Sequence, residues 1–292
     1  MSNLRPIEDK YVIEKEHWVG SAFRVRNYFP EGKNLLNRFS PFALMDYNAP
    51  LEFPPSGTPK GIGPHPHRGL ETVTFAFSGA VEHHDNAGSH GIIYPGDVQW
   101  MTAGSGIMHK EYFEEDFQKS GGLFHMIQLW ISLPKKDKFT DPRYQDIKEE
   151  DMGKITLPGN NGNISIVAGE FDGIEGPAMT FSPMNIYIID LKAGASIELN
   201  EPGNYNTGIL HMLGSMEING IVSNENDFTL FENKDGIIKI DKVSSDSKFI
   251  VLSGEPLDEP TLAAGPFVMN TAEELKQAAK DYREGNFGTE DF

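Results

Sequence analysis

Short runs of alternating apolar and polar residues dominate the chain between residues 20 and 260. Clear examples are ETVTFAF at 71–77, FHMIQLWISL at 124–133, NIYIIDL at 185–191 and SKFIVLSG at 247–254. β-Branched and aromatic residues with a period of two, separated by Gly, Pro and Asn roughly every ten residues, are typical of antiparallel sandwiches and barrels. The pattern therefore predicts an all-β protein.

One segment near the C-terminus has a helical pattern instead. Thr271 is followed three residues later by Glu274, which is the spacing of a capping box. The apolar residues that follow share one helical face: Leu275, Ala278, Ala279 and Tyr282. We predict a helix over about 271–284 that docks on a sheet through this face.

The length of 292 residues corresponds to about two domains. The composition changes in PKKDKFTDPRYQDIKEEDMG, which is polar and charged and contains two prolines. Such a segment offers little to a core and indicates a domain boundary. We predict an N-terminal barrel over 1–134, a linker over 135–152, and a C-terminal barrel over 153–292 that ends in the helix.

The charge balance limits the possible partners. Asp and Glu number 43 against 25 Lys and Arg, so the formal net charge is −18. This charge repels phosphate backbones and anionic lipid, and direct binding to nucleic acid or to a membrane is not expected. The first residues lack the basic and then apolar pattern of a signal peptide, and we expect a cytoplasmic protein.

Two pairs of side chains carry the candidate chemistry. The chain has no cysteine, so a bound metal must have nitrogen and oxygen ligands. In extended strands residues i and i+2 share a face, which pairs His65 with His67 and His109 with Glu111. Together they predict a three-histidine, one-carboxylate metal site. The alternative is that these histidines form hydrogen bonds within loops, with Pro66 holding a turn, but the apolar, Gly-rich surroundings make unligated buried histidines costly.

The ligand count favours a particular kind of ion. Four protein ligands would complete the coordination of tetrahedral zinc, whereas six-coordinate Fe(II) would keep two positions for water, O2 or a chelating substrate. We therefore expect one Fe(II) per chain, and the sequence leaves Mn, Ni, Cu and Zn open.

Longer motifs resemble those of the pirin family of the cupin superfamily. They are PHPHRGLETVTF, GDVQWMTAGSGIMHKE, QLWISLP, SGEPLDEP and GPFVMNTAEELKQAAKDYREGNFG, and the resemblance extends from about Phe42 to Gly288. It implies two tandem cupin barrels of the jelly-roll type. It also implies that the four residues named above are the metal ligands, that the metal lies in the N-terminal barrel alone, and that iron is the usual ion.

Other polar residues are interpreted as structural. Glu71 stands where many cupins have a ligand glutamate, but the resemblance gives that role to Glu111, so we expect Glu71 to support the site or the fold. A lone histidine, His211, remains in the C-terminal half, which predicts a barrel without metal. The histidines His83, His84 and His90 of EHHDNAGSHG could form a metal-binding cluster, but the turn residues of this segment favour an exposed hairpin loop, which we predict.

Several strand residues could line a substrate cavity. His125 and Gln128 lie at an odd separation, so at most one of them faces the cavity. Four apolar residues either line the cavity or, as we favour, belong to the core: Met101, Met108, Phe42 and Phe75. The chain lacks the phosphate-binding GxxxxGK[ST], the serine-hydrolase GxSxG and the zinc-protease HExxH motifs, and we interpret GSG at 104–106 as a turn.

The resemblance implies an iron dioxygenase similar to the quercetin-cleaving pirins. A flavonol would bind beside Fe(II), Glu111 would accept its enol proton, and O2 would open the ring with release of CO. The alternative is a metal-dependent, redox-sensing regulatory protein that acts through a protein partner, to which an acidic surface is suited. A zinc-type sugar isomerase is a third candidate. We expect a monomer.

Overall fold

The computed structural model describes residues 3–29 and 35–292, and most of them lie in β-strands. The strands of the first half are β1 (Ile7–Val12), β2 (His17–Val19), β3 (Phe23–Phe29), β4 (Phe42–Phe53), β5 (Gly61–His67), β6 (Leu70–Ser78), β7 (Val81–Asp85), β8 (His90–Ile93), β9 (Val98–Thr102), β10 (Ile107–Phe113), β11 (Gly122–Ser132) and β12 (Arg143–Ile147). Those of the second half are β13 (Gly153–Thr156), β14 (Gly162–Ala168), β15 (Glu170–Phe171), β16 (Ile174–Glu175), β17 (Met184–Leu191), β18 (Ile197–Leu199), β19 (Asn206–Ile218), β20 (Ile221–Ser223), β21 (Asp227–Phe231), β22 (Ile238–Gly254), β23 (Leu262–Ala264) and β24 (Phe267–Met269). The α-helices are α1 (Leu35–Arg38), α2 (Glu115–Ser120) and α3 (Ala272–Arg283). The all-β prediction is confirmed.

The chain forms two compact units. The first unit contains Lys15–Glu149 and Leu257–Phe292, and the second contains Glu150–Pro256 with the N-terminal stretch up to Glu14. Each unit is built on antiparallel sheets.

The first unit contains two larger sheets. A seven-stranded sheet has the order β12-β9-β6-β11-β4-β3-β2, and a four-stranded sheet has the order β5-β10-β7-β8. The short strands β23 and β24 form a hairpin of their own. Side chains alternate between the two faces of each strand, so one face of each sheet is directed toward the interior of the unit. The side chains on that face form the core and the walls of a cavity.

An aromatic cluster consolidates this core. The ring of Phe113 on β10 lies 5.0 Å from that of Phe53, 4.7 Å from that of Phe124 and 5.1 Å from that of Phe117, centroid to centroid. These are edge-to-face and tilted contacts, each worth about 0.5–1.5 kcal/mol beyond the burial of apolar area. The cluster fixes the end of β10, the strand that carries His109 and Glu111.

The second unit is built on a nine-stranded sheet. Its main path runs β1-β21-β19-β22-β17-β14-β13, with β18 paired to β22 and β20 paired to β19. Its core is mostly aliphatic and rich in isoleucine. His211 is buried within this unit, and its ring nitrogens lie 3.1 Å from Ser223 Oγ and 2.9 Å from the Leu213 carbonyl oxygen. Its hydrogen-bonding capacity is thereby used within the fold.

The structure divides the chain differently from the predicted boundaries. The segment expected to be a linker contains β12, which pairs with β9 and buries Gln145 and Ile147 on one face. The N-terminal strand β1 pairs with β21, so it belongs to the second unit. Both strands lie in charged segments of the sequence. A strand with only one face toward the core contains few apolar residues, so the composition of its segment does not distinguish it from a linker.

The C-terminal helix has the predicted boundaries and cap. The Thr271 side chain accepts a hydrogen bond from the Glu274 backbone N–H, and the Glu274 side chain accepts one from the Thr271 N–H, which completes the capping box. Ala278 is buried with Met108, Phe267 and Phe287. The helix therefore packs in the first unit, whereas we expected it to end the second barrel. Among the described residues, every helix is too short or too polar to cross a membrane.

Candidate metal centre

Three histidines converge between strands β5 and β10. These strands are antiparallel, and His109 lies directly opposite His65. His67 projects to the same side as His65 because it is two residues further along β5. The imidazole centroids of His65 and His109 are 4.2 Å apart, those of His67 and His109 are 4.9 Å apart, and those of His65 and His67 are 5.0 Å apart. One ring nitrogen of each lies within 4.8 Å of the others, so the three can share one ion.

Hydrogen bonds at the back of two rings set their orientation. His65 Nδ1 lies 2.9 Å from the Gly63 carbonyl oxygen, and His67 Nδ1 lies 3.2 Å from the Pro266 carbonyl oxygen. A carbonyl accepts only from a protonated nitrogen, so Nδ1 carries the hydrogen and Nε2 keeps its lone pair. This is the arrangement that metal-ligating histidines adopt in proteins.

The third ring has a buried nitrogen that the protein leaves unsatisfied. His109 is fully buried, and among the described residues its Nε2 has no hydrogen-bond partner. An unpaired polar atom at such a position costs about 1–3 kcal/mol. A cation held by the three imidazoles would satisfy it, so the donor set fits a metal ion.

Burial also favours the protonation state that a ligand requires. Desolvation lowers the pKa of His67 and His109 well below the usual range, and the neighbouring histidines lower both further. Burial lowers the pKa of His65 as well, although its hydrogen bond to Gly63 and the charge of Glu111 oppose the shift. All three rings are therefore neutral near pH 7 and can donate a lone pair.

Glu111 lies two residues after His109 on the same strand. A β-bulge separates it from His109, and it forms a second possible metal-binding group with His109 and His83. Its Oε1 lies 3.2 Å from Thr74 Oγ1 and 3.4 Å from Gln99 Nε2, both of which can donate to it. The structure thus places the three predicted imidazoles in one group and Glu111 in an overlapping group that shares His109.

The prediction that His83 lies exposed in a loop is wrong. His83 lies on β7, is fully buried, and has its Nδ1 3.3 Å from Nδ1 of His109. Its Nε2 lies 3.2 Å from Asp85 Oδ2, and the Tyr144 ring stacks on it at 5.0 Å. The sequence does contain a signal: two adjacent histidines on a strand must face opposite sides, so one of the pair 83–84 turns inward.

A cavity of about 370 Å³ is lined in part by His65, His67 and Glu111. Its apolar wall includes Val25, Ile62, Met126 and Trp130, and its polar lining residues include His65, His67, Glu111, Asp46 and Gln128. This size falls within the roughly 300–1,000 Å³ of pockets for small organic ligands. An apolar cavity with a few convergent polar groups can hold a small organic ligand.

The other candidate residues divide between the cavity lining and the core of the first unit. Gln128 lines the cavity, whereas His125 lies 3.1 Å from the Tyr47 hydroxyl oxygen in the core. Glu71 accepts a hydrogen bond from Thr102 Oγ1 at 2.7 Å, and burial raises the pKa of this carboxyl to about 7. The four apolar candidates, Met101, Met108, Phe42 and Phe75, are all buried in the core.

The sequence motifs did not reveal the contribution of Arg68 and the C-terminal segment. Arg68 follows the His-x-His pair directly, donates from Nε to the Ser105 carbonyl oxygen at 2.6 Å, and forms an ion pair with Asp281 on α3 at 2.6 Å. Its guanidinium also lies 4.4 Å from the centroid of the Phe287 ring. The segment that contains Pro266 is thereby held against β5, where its carbonyl oxygen orients His67.

The predicted turn at 104–106 sets the start of β10. Gly104 has a φ of +51°, and a Cβ atom there would lie 2.1 Å from the Thr140 carbonyl oxygen. A residue with a Cβ atom would clash with this carbonyl oxygen, and glycine fits because it has no Cβ atom. The turn prediction is confirmed, and the turn leads into β10, the strand that carries His109.

Comparisons with known proteins agree with this fold. The family model of pirin matches residues 22–131, and that of the pirin C-terminal cupin domain matches residues 186–288. A Pseudomonas aeruginosa protein, provisionally named a quercetin 2,3-dioxygenase, is 42% identical over 277 residues, which are 95% of this chain and 96% of its own.

Solved structures give the same result. A crystal structure of quercetin 2,3-dioxygenase from Acinetobacter baumannii superposes with a TM-score of 0.94 and 38% identity, over 98% of this chain and 99% of its own. A crystal structure of the bacterial pirin YhhW from Escherichia coli, in complex with nickel(II), superposes with a TM-score of 0.64 over 85% of this chain and 100% of its own. At 21% identity the second match shows a shared fold alone.

Proposed function

Because this chain belongs to the pirin family, we propose that it is a non-haem iron dioxygenase that cleaves quercetin-like flavonols with O2. The observation that carries the proposal is the buried, unpaired His109 Nε2, which lies with two oriented imidazoles beside an apolar cavity. The names of the Pseudomonas and Acinetobacter relatives support the choice of substrate.

We propose that His65, His67, His109 and Glu111 hold one divalent ion. Imidazole and carboxylate ligands suit Fe(II), and they also suit Ni(II), the ion in the Escherichia coli pirin complex. A bound Fe(II) would supply the redox chemistry that lets O2 react with an electron-rich enolate. The protein holds the ligands in place through the Gly63 and Pro266 carbonyl groups.

The cavity walls would orient the flavonol. Trp130, Met126 and Ile62 offer apolar surface to the flat rings, while Gln128 and Asp46 face the same space and can pair with ring hydroxyl groups. Burial of the rings would exclude water from the reacting carbon atoms, which protects the electron-rich enolate from competing protonation.

Glu111 is the proposed general base. It lines the cavity and lies next to His109 on β10, so it can accept the proton of the flavonol 3-hydroxyl group as the enolate forms. The single proton of the Thr74 hydroxyl can be donated either to Glu111 Oε1 at 3.2 Å or to Gln128 Oε1 at 2.7 Å. Gln99 Nε2, at 3.4 Å, is a second donor to the Glu111 carboxylate.

The direct test is turnover of quercetin by metal-loaded protein. Protein loaded with Fe(II) under anaerobic conditions is mixed with quercetin, O2 is admitted, and both the flavonol absorbance and the CO in the headspace are followed. We expect loss of the flavonol band together with release of CO, at a rate well above that of free Fe(II). Absence of turnover above free iron, with the metal bound, would refute the dioxygenase proposal.

The variant Glu111→Gln tests the proposed role of Glu111, with its metal content measured beside its turnover. Glu111→Gln keeps the shape of the side chain and removes its basicity, so kcat should fall by about 10²–10⁴-fold. Glu52→Gln, an exposed position, is the matched control and should keep full activity. Full activity and full metal content in Glu111→Gln would show that another group takes the proton.

A further inference from the structure

The outer face of the hairpin β7–β8 carries a second group of metal-binding side chains, which we call the outer cluster: Glu82, His84 and His90. β7 alternates its side chains, so His83 turns inward to His109 while Glu82 and His84 turn outward. His84 lies directly opposite His90 across the antiparallel pair. The hairpin thus brings all three side chains to one place, on the side of β7 opposite to His109.

The geometry of the outer cluster approaches that of a coordination site. The Nε2 atoms of His84 and His90 each lie 2.9 Å from Glu82 Oε1, and their rings stack with centroids 4.2 Å apart. A tetrahedral ion with bonds of about 2.0–2.1 Å holds its ligand atoms roughly 3.3 Å apart. An opening of about 0.4 Å between the carboxylate oxygen and each nitrogen would admit the ion, and the Glu82 side chain is 27% exposed.

From this arrangement we infer that the outer cluster is a binding site for a divalent late transition metal such as Zn(II) or Cu(II). Two imidazole nitrogens and one carboxylate oxygen are donors that these ions prefer, whereas Mg(II) and Ca(II) require more oxygen ligands. Three protein ligands leave a coordination position open to solvent. The inference is independent of the proposed dioxygenase activity.

The surroundings of the outer cluster are compatible with a cation. The nearest basic residue in the strand register is Lys110, opposite His84, and its ammonium donates to the Phe292 carbonyl oxygen and lies 5.1 Å from the Phe292 ring centroid. A depression of about 400 Å³ beside the cluster is bordered by Glu82, His84, Lys110 and also by Glu115. A bound ion would therefore face an open depression.

The test is a count of zinc ions bound by full-length protein. Wild type and variants are dialysed against excess Zn(II), and the ions per chain are measured by elemental analysis. We expect His90→Ala to bind one ion fewer than wild type, because it removes a ligand of the outer cluster. The matched control His17→Ala removes an exposed histidine outside the cluster and should bind as many ions as wild type.

A second pair of variants separates the two sites. His109→Ala should lose the ion of the buried centre and keep that of the outer cluster, and the double variant His109→Ala/His90→Ala should lose both. Calorimetric titration of the His109→Ala protein should show a Kd for zinc that rises at least about tenfold in Glu82→Gln. Equal zinc content in wild type and His90→Ala would overturn the inference, whatever the behaviour of the buried centre, because it would show a purely hydrogen-bonded cluster.

Discussion

Glu71 provides a quantitative test of the electrostatics of the first unit. The carboxyl is 1% exposed, it accepts a hydrogen bond from Thr102, and Arg143 lies 3.8 Å away. Burial outweighs these contacts and raises the pKa of Glu71 from 4.5 to about 7. The folded state therefore holds a proton that the unfolded chain has already released at intermediate pH.

The sign of the effect on stability follows from this difference. Below pH 4.5 both states are protonated and Glu71 imposes no penalty. Between pH 4.5 and 7 only the unfolded chain ionises, so stability falls as the pH rises, and above pH 7 the loss stays constant. At about 1.4 kcal/mol for each unit of pKa, the loss between pH 5 and pH 8 is about 2–3 kcal/mol.

The assay compares wild type with Glu71→Gln, which keeps an acceptor for Thr102 but cannot ionise. All three tryptophans of the sequence, at positions 18, 100 and 130, lie in the first unit, so tryptophan fluorescence reports on its unfolding. From urea titrations, wild type should lose about 2–3 kcal/mol more than the variant between pH 5 and pH 8. An equal change in both proteins would refute the reasoning, and Glu52→Gln, at an exposed position, should follow wild type.

Two further predictions concern His83 and Lys138. His83→Ala removes the ring that lies against His109 and should weaken metal binding at the buried centre about 10–100-fold by calorimetry, while His17→Ala should leave it unchanged. Buried Lys138 donates to the Gly69 and Val268 carbonyl oxygens and to Ser132 Oγ, at 2.7, 2.8 and 2.9 Å. Lys138→Met leaves these acceptors unpaired and should lower the free energy of unfolding by roughly 2–4 kcal/mol in urea, against about 0.5 kcal/mol or less for exposed Lys136→Met. Unchanged affinity in the first variant, or unchanged stability in the second, would contradict the roles assigned here.

Local pattern and motif predicted most of the fold and the imidazole cluster. The alternation of strand residues places His65 and His67 on one side of β5, and this needs no knowledge of the rest of the chain. The two tandem cupin barrels are confirmed by the family models and by the Acinetobacter structure. The pairing of His109 with His65 depends on the register of distant strands, and the sequence predicts only that their convergence is possible.

The features of the site that the sequence did not predict depend on contacts between residues far apart in the chain. The carbonyl group that orients His67 comes from Pro266, far along the chain, and the contacts that hold this segment pass through Arg68 and α3. His83 has turn residues shortly after it, and the inward direction of its side chain depends on where β7 begins. The identity of the metal, the protein partner, the monomeric state and the cytoplasmic location stay predictions.

The most direct measurement for the central claim is anomalous diffraction at the iron edge from crystals grown anaerobically with Fe(II) and then soaked with a flavonol. The proposed four-ligand site predicts a peak at about 2.0–2.2 Å from one nitrogen each of His65, His67 and His109 and from a carboxylate oxygen of Glu111, with flavonol density beside it in the cavity. Imidazoles that point away from a common centre, or density for the flavonol outside the cavity, would contradict it.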